Sequence, residues 1–251
     1  MRAPRLVFVS GWACDAAWIA PAARALGMLG SVRAISLAEL AGHVGGAEGV
    51  GANCSAYARG LSAFLGACPA ATTLIGWSMG GMVALELLCS GQARPGALVL
   101  VGTTSRFRGG PDYDCGVSDR SFRAMQIGLG QAAERTLRSF FCDAVFPDSA
   151  DDEELHGWVA GALRAGPEPL RRDLMYLRDT DLRARLGALR IPTLIVHGTR
   201  DRVISCAAAR YMHGRIPGSR LVLVEGAGHG LPRQRAAEFA GSVARFLRAT
   251  T

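Results

Sequence analysis

Six short runs of aliphatic and β-branched residues punctuate the chain: Leu6–Val9, Val32–Ser36, Thr72–Gly76, Ala97–Val101, Thr193–Val196 and Arg220–Val224. Glycine or polar turn residues follow them. Short apolar runs of this kind belong to strands buried on both faces, as in a parallel sheet. Helix-length segments separate most of them. Tyr57, Leu61, Phe64 and Leu65 fall at helical spacing within Ser55–Ala67, and Gly80–Ser90 is small and apolar throughout. Leu231–Ala249 gathers Phe239, Val243, Phe246 and Leu247 on one face, with Arg233, Arg235, Arg245 and Arg248 largely elsewhere. Strands alternating with helices predict an α/β fold with a doubly wound parallel sheet.

The interval between Val101 and Thr193 is too long for a simple crossover. It reads as helical, interrupted by Pro111, Pro147, Pro167 and Pro169. We expect a helical cap at 105–190 inserted into a core formed by 1–104 and 191–251. The cap is patterned in charge. Arg120, Arg123, Arg135 and Arg138 accompany Glu134, and Arg164, Arg171, Arg172 and Arg178 come later. The acidic run Asp151-Asp152-Glu153-Glu154 lies between them. From 105 to 185 twelve arginines face fourteen acids, so the cap is not broadly basic.

Composition narrows the function classes. A chain of 251 residues, 49% apolar and 20% charged, suits one globular enzyme domain with an insert. The net charge of +7 comes entirely from arginine. No dense Arg run or nucleic-acid module is present, so a nucleic-acid partner is not expected; an acidic protein partner or anionic substrate stays open. Seven cysteines without a CxxC pair, and no export signal, fit a reducing cytoplasm and buried thiols. No apolar run reaches the roughly 18 residues of a membrane span. Gly42–Gly51 is glycine-rich but lacks a Lys-Ser/Thr ending and reads as a loop. No metal-ligand spacing and no dinucleotide motif occur, so neither metal nor cofactor is expected.

The chemistry centres on Gly76-Trp77-Ser78-Met79-Gly80, with Gly81 next. G-x-S-x-G between a strand and a helix is the setting of a nucleophile elbow, a turn so tight that its flanks must be nearly free of side chains. The alternative is a purely structural turn. A serine hydroxyl needs a base. Of five histidines, His229 sits in Gly226-Ala227-Gly228-His229-Gly230 just after a strand, at the edge where open α/β sheets place their sites. His197 ends a strand and reads as a packed or hydrogen-bonded core histidine; His43, His156 and His213 read as surface or loop residues. Asp201, on the loop after the penultimate strand, is the expected acid that orients His229; the alternative is a helix-capping Asp ahead of Cys206–Arg215. Asp179 and Asp181 precede that strand and are poorer candidates. Two backbone N–H groups should stabilise an oxyanion, Met79 after the nucleophile and Trp12 in Ser10-Gly11-Trp12.

These motifs resemble the α/β-hydrolase superfamily along nearly the whole chain. The Gly-Trp pair with Trp18 beyond it, the Gly-Trp-Ser-Met-Gly-Gly elbow and Val101-Gly102-Thr103-Thr104-Ser105 resemble the BioH-type carboxylesterases, the pimeloyl-[acyl-carrier protein] methyl ester esterases of biotin synthesis. The resemblance implies an α/β-hydrolase fold and hydrolysis of that methyl ester by a cytoplasmic, monomeric enzyme. It implies that Trp12, Ser78, Met79 and His229 meet the substrate together with the cap segment Phe140-Phe141-Cys142-Asp143-Ala144, whose phenylalanines could equally be cap core. It also implies that cap arginines hold an acidic acyl-carrier protein; Arg123, Arg135, Arg138, Arg164, Arg171 and Arg172 are the candidates, each equally readable as a solvated helix face. Two departures stand out. The family usually has His-Gly where this chain has Ser10-Gly11. The two N-terminal strands common in the fold are not seen before Leu6, which leads us to expect a trimmed, all-parallel sheet of about six strands. A thioesterase or general short-chain carboxylesterase is the alternative within the same chemistry, and a non-catalytic ligand-binding protein on a hydrolase scaffold is the alternative outside it.

Overall fold

The structure is a computed structural model, and it describes residues 4–43, 54–66, 69–164 and 166–250. Most of the glycine-rich stretch expected to be a loop, with Ala67 and Cys68, lies outside the described residues.

Among the described residues six strands form one parallel sheet: β1 Arg5–Val9, β2 Ser31–Ile35, β3 Thr72–Trp77, β4 Ala97–Val101, β5 Thr193–Gly198 and β6 Arg220–Val224, in the order β2-β1-β3-β4-β5-β6. Every residue of β3, β4 and β5 is buried, which is why those runs are apolar without alternation. The edge strands β2 and β6 expose part of their length and carry Arg33 and Arg220. Because all pairings are parallel, the carboxyl ends of the strands open on one edge of the sheet.

The core helices are α1 Ala20–Leu26, α2 Leu37–Gly42, α3 Ala56–Leu65, α4 Met79–Cys89, then α9 Cys206–His213, α10 Leu231–Gln234 and α11 Ala236–Arg248. Residues 79–88 of α4 are buried on every side, so it shows no amphipathic stripe. The segment read as one helix from Leu231 to Ala249 is two. Arg235, at φ −119° and ψ 38°, breaks it. The short α10 is tied elsewhere: Gly230 N–H donates to Ala144 O at 2.6 Å and Gln234 Nε2 to Val145 O at 2.8 Å, while α11 packs on α1.

Between β4 and β5 lie α5 Asp119–Gln131, α6 Ala133–Val145, α7 Asp152–Arg164 and α8 Pro167–Asp179, then a 3-10 turn at Arg183–Ala188. Helix α8 is fastened to the core at three places. Trp12 Nε1 donates to Leu170 O at 3.2 Å, the Tyr57 hydroxyl bonds Asp173, and the Tyr176 hydroxyl donates to Glu86 Oε2 at 3.0 Å.

Candidate active site

Ser78 sits at the β3–α4 junction with φ 54° and ψ −125°, a conformation a non-glycine residue adopts only under constraint. The neighbouring glycines provide that constraint. A Cβ on Gly76 would lie 2.5 Å from Gly81 Cα, one on Gly80 2.4 Å from Ser10 O, and one on Gly81 2.6 Å from Thr103 Oγ1. The Thr103 hydroxyl donates to Ser78 O at 2.6 Å, fixing the turn from the end of β4. Trp77 stacks on Trp18 with ring centroids 4.3 Å apart, and its Nε1–H donates to His229 O at 3.0 Å.

The imidazole of His229 lies between two oxygens. Its Nε2 is 3.0 Å from Ser78 Oγ and its Nδ1 is 2.8 Å from Asp201 Oδ2. An ionised carboxylate only accepts, so Nδ1 carries the proton and the Nε2 lone pair faces the serine hydroxyl. Asp201 Oδ1 accepts the Val203 and Ile204 amides, each at 2.8 Å. Asp201 is therefore no helix cap; Ser205 caps α9 through Ala207 N–H. The side chains of Asp201, His229 and His197 are fully buried. Burial pushes the Asp201 carboxyl up, but the His229 charge and hydrogen bonds from both imidazoles outweigh it and hold the carboxyl below the ordinary carboxylate range.

Two loops bring these groups together. Arg200 N–H donates to Ala227 O and Thr199 N–H to Val224 O, tying the Asp201 loop to the His229 loop. Gly228 packs so closely on the carbonyl of Phe146 that no Cβ fits.

The amides of Trp12 and Met79 were expected to face the same point. Among the described residues neither has a hydrogen-bond partner, and Met79, as the first residue of α4, has none available within the helix. A Cβ on Gly11 would stand 2.9 Å from Ser78 Cβ, so the loop after β1 presses against the elbow. Ser10, where a His is usual in the family it resembles, donates its hydroxyl to Cys14 O at 2.8 Å and so closes that loop on itself.

A groove of about 930 Å³ opens beside the site between α5, α6 and the loop after β5. Phe107, Met125, Arg135, Phe140, Asp143 and Arg202 are among its walls. Ser78, only 7% exposed, is not part of the lining; Phe140 links the two, since it lines the groove and meets the Trp12 ring edge-on at 4.8 Å. Of the cap segment expected to meet substrate, Phe140 and Asp143 line the groove and Cys142 is exposed. Phe141 and Ala144 are fully buried; Phe141 packs at 5.6 Å from Trp158, and Ala144 holds the His229 loop through its carbonyl. The six candidate arginines are spread over four helices. Arg138 pairs with Asp152, Arg171 with Glu168 at 2.7 Å and Arg164 with Asp15 at 3.9 Å, while Arg172 Nε donates to the Tyr57 hydroxyl at 3.0 Å. Arg123 and Arg135 are exposed, and among the described residues neither has an ion pair or hydrogen bond.

Sequence reasoning did not single out Thr103, Trp77 or the contact between His197 and Asp201. The signal for the last was present, since His197 ends a buried strand four residues before the expected acid.

A model of the alpha/beta hydrolase family matches residues 6–242. The chain belongs to the alpha/beta hydrolase family. It is 29% identical over 250 residues to a pimeloyl-[acyl-carrier protein] methyl ester esterase of Xanthomonas campestris pv. campestris, covering 98% of this chain and 96% of that one. A protein of the same name from Nitrosomonas europaea is 32% identical over 165 residues, 64% of this chain and 65% of the relative. Among solved structures, an esterase from Exiguobacterium antarcticum superposes with a TM-score of 0.82 at 24% identity, over 98% of this hydrolase and 92% of that chain. A bromoperoxidase from Bacillus anthracis superposes at 0.84 with 23% identity, over 98% and 92%. These two likenesses concern the fold. Among the described residues no cluster of His, Cys, Asp or Glu is placed to hold a metal ion, and no helix is long and apolar enough to cross a membrane.

Proposed function

We propose that this hydrolase is a serine carboxylesterase that cleaves the methyl ester of pimeloyl-[acyl-carrier protein], giving pimeloyl-[acyl-carrier protein] and methanol in biotin synthesis. The observation that carries the ester chemistry is the continuous chain from Ser78 Oγ through the His229 ring to Asp201, 3.0 and 2.8 Å. Ser78 Oγ attacks the ester carbonyl while His229 Nε2 takes its proton. The Trp12 and Met79 amides receive the oxyanion; each donor accounts for roughly 100- to 1,000-fold in turnover. His229 then protonates the departing methanol, and water hydrolyses the acyl-enzyme by the same route. The substrate is supported by the names of the relatives, two of which are given above. The helices of 105–190 act as a cap on the core formed by 1–104 and 191–251, and Phe140 and Asp143 form the cap's share of the ester pocket.

The partner on this reading is an acidic acyl-carrier protein, met by Arg123 and Arg135, the two candidates with neither a salt bridge nor a hydrogen bond among the described residues. The test compares carrier-bound pimeloyl methyl ester with a small p-nitrophenyl ester. Ser78→Ala abolishes both reactions and blocks fluorophosphonate labelling. Arg123→Glu with Arg135→Glu slows only the carrier-bound reaction, as added salt does. Equal activity of wild type on short esters and thioesters with no preference for the carrier-bound ester identifies a general esterase or thioesterase instead. Absence of labelling in the wild type identifies a non-catalytic binding protein.

A further inference from the structure

His197 closes β5 with its side chain fully buried. Its Nε2 bonds the Ile204 carbonyl at 2.9 Å and lies in close contact, 3.1 Å, with Asp201 Oδ2. Its Nδ1 is buried and has no hydrogen-bond partner. Acceptors beside one nitrogen and none beside the other place the ring N–H on Nε2.

Asp201 accepts three hydrogen bonds and meets a fourth N–H at close range. Oδ1 takes the Val203 and Ile204 amides, Oδ2 takes the His229 ring, and the His197 Nε2 lies 3.1 Å from Oδ2. The Ile204 residue that donates its amide to Oδ1 also accepts at its carbonyl from His197, which closes the turn 197–204 into a ring of hydrogen bonds around the carboxylate.

We propose that His197 is a positioning residue for the reaction: its Nε2–H holds the Asp201 carboxylate in the plane of the His229 ring and takes up part of the negative charge on Oδ2. The proposal rests on the triad reading given above and not on the identity of the ester. A carboxylate steadied by His197 fixes the ring that donates to it, and charge shared with His197 attracts an imidazolium less. A histidine that merely filled the core would be satisfied by the Ile204 carbonyl alone, and its loss would change stability without moving the acid limb of activity.

The variants are His197→Leu, which fills the space without a donor, His197→Gln, whose amide nitrogen sits about where Nε2 does, and His197→Asn, whose shorter amide falls short. Ser78→Ala is measured beside them. Rates on a small p-nitrophenyl ester are followed from about pH 5 to 9, with thermal melts to confirm folding. His197→Gln stays near wild type. His197→Leu and His197→Asn lose about 10- to 100-fold in kcat with KM nearly unchanged, the scale of a positioning contact. In both, the acid limb of kcat/KM moves up by about half to one pH unit, because the undivided carboxylate charge now favours the imidazolium. If the Leu variant does not fold, the contrast between Gln and Asn decides. An unmoved acid limb, or Gln and Asn behaving alike, overturns the proposal while an inactive Ser78→Ala leaves the triad standing. A Ser78→Ala enzyme as fast as wild type removes the triad reading and this role with it.

Discussion

Replacing Asp201 with Asn tests the site by changing a single atom type. Val203 and Ile204 N–H groups, each 2.8 Å from Oδ1, will hold the amide oxygen of the new residue, because an NH2 cannot face two donors. The NH2 then occupies the Oδ2 position, 2.8 Å from His229 Nδ1 and 3.1 Å from His197 Nε2. It can bond His229 only by donating to Nδ1, and that moves the ring proton to Nε2. At 3.0 Å from Ser78 Oγ there is now an N–H where a lone pair is needed. Only the rare tautomer reacts, and a loss of about 10⁴ in kcat is expected, as for the same exchange in other serine triads. That equals about 5.5 kcal/mol in the barrier. KM should change little, since exchanging one atom of a buried side chain leaves the shape of the site unaltered. The NH2 also confronts the His197 Nε2–H, donor against donor, so the melting temperature falls by the equivalent of about 1–3 kcal/mol. Initial rates on a p-nitrophenyl ester and a calorimetric melt suffice. A kcat within about tenfold of wild type in a folded protein would refute the assignment of His229 and Asp201.

Gly81→Ala forces a methyl to 2.6 Å from Thr103 Oγ1 and 2.7 Å from its Cβ, with the elbow on the other side; a loss of about 1–3 kcal/mol or more, read as a lower denaturant midpoint, is expected. Trp12→Phe keeps the backbone amide and removes the indole bond to Leu170 O, so stability falls by about 1 kcal/mol while small-ester turnover drops less than about tenfold; a 100-fold drop would move the role from the amide to the ring. Burial pushes the Asp173 carboxyl up from 3.8 to about 6 against the lowering effect of the Tyr57 hydroxyl and Arg172. Its folded pKa exceeds its unfolded one, so its contribution is complete below about pH 4 and is lost as pH rises through 6. Asp173→Asn should therefore gain about 1–1.5 kcal/mol on wild type between pH 5 and pH 8, most of it below pH 6.5, and a flat difference in melting temperature across that range would refute the shift.

The central strands were legible because burial on both faces leaves a plain imprint, a continuous apolar run with a glycine after it. Ser78, His229 and Asp201 were legible because each lies on a loop at a strand end, and the tightness of the elbow is written in Gly76, Gly80 and Gly81. What could not be read depends on partners distant in sequence. The break at Arg235 arises because Gly230 and Gln234 bond the end of α6, nearly ninety residues away. Phe141 and Ala144 have the character of pocket and core residues alike, and only packing against Trp158 and the His229 loop decides. Glu168 reaches Arg171 from one turn away on α8, but Asp152 and Asp15 are brought to Arg138 and Arg164 only by folding. His197 looked like core because it is core; that its ring reaches the Asp201 carboxylate follows from the turn between them.

The helices between β4 and β5 do more than join two strands. The C-terminal end of α6 holds the His229 loop through the carbonyls of Ala144 and Val145, and Phe146 O sits against Gly228 too closely for any side chain. Helix α8 grips the other side of the site, since Leu170 O holds the Trp12 indole. The His229 loop and Trp12 are thus anchored to the helices between β4 and β5, whereas Ser78 is anchored to the sheet through Thr103 and the Val101 carbonyl. A rigid lift of α6 or α8 would break contacts of 2.6 to 3.2 Å that hold the His229 loop and the Trp12 indole. The groove between α5 and α6, which reaches Phe140 and Asp201, offers an approach that leaves those contacts in place.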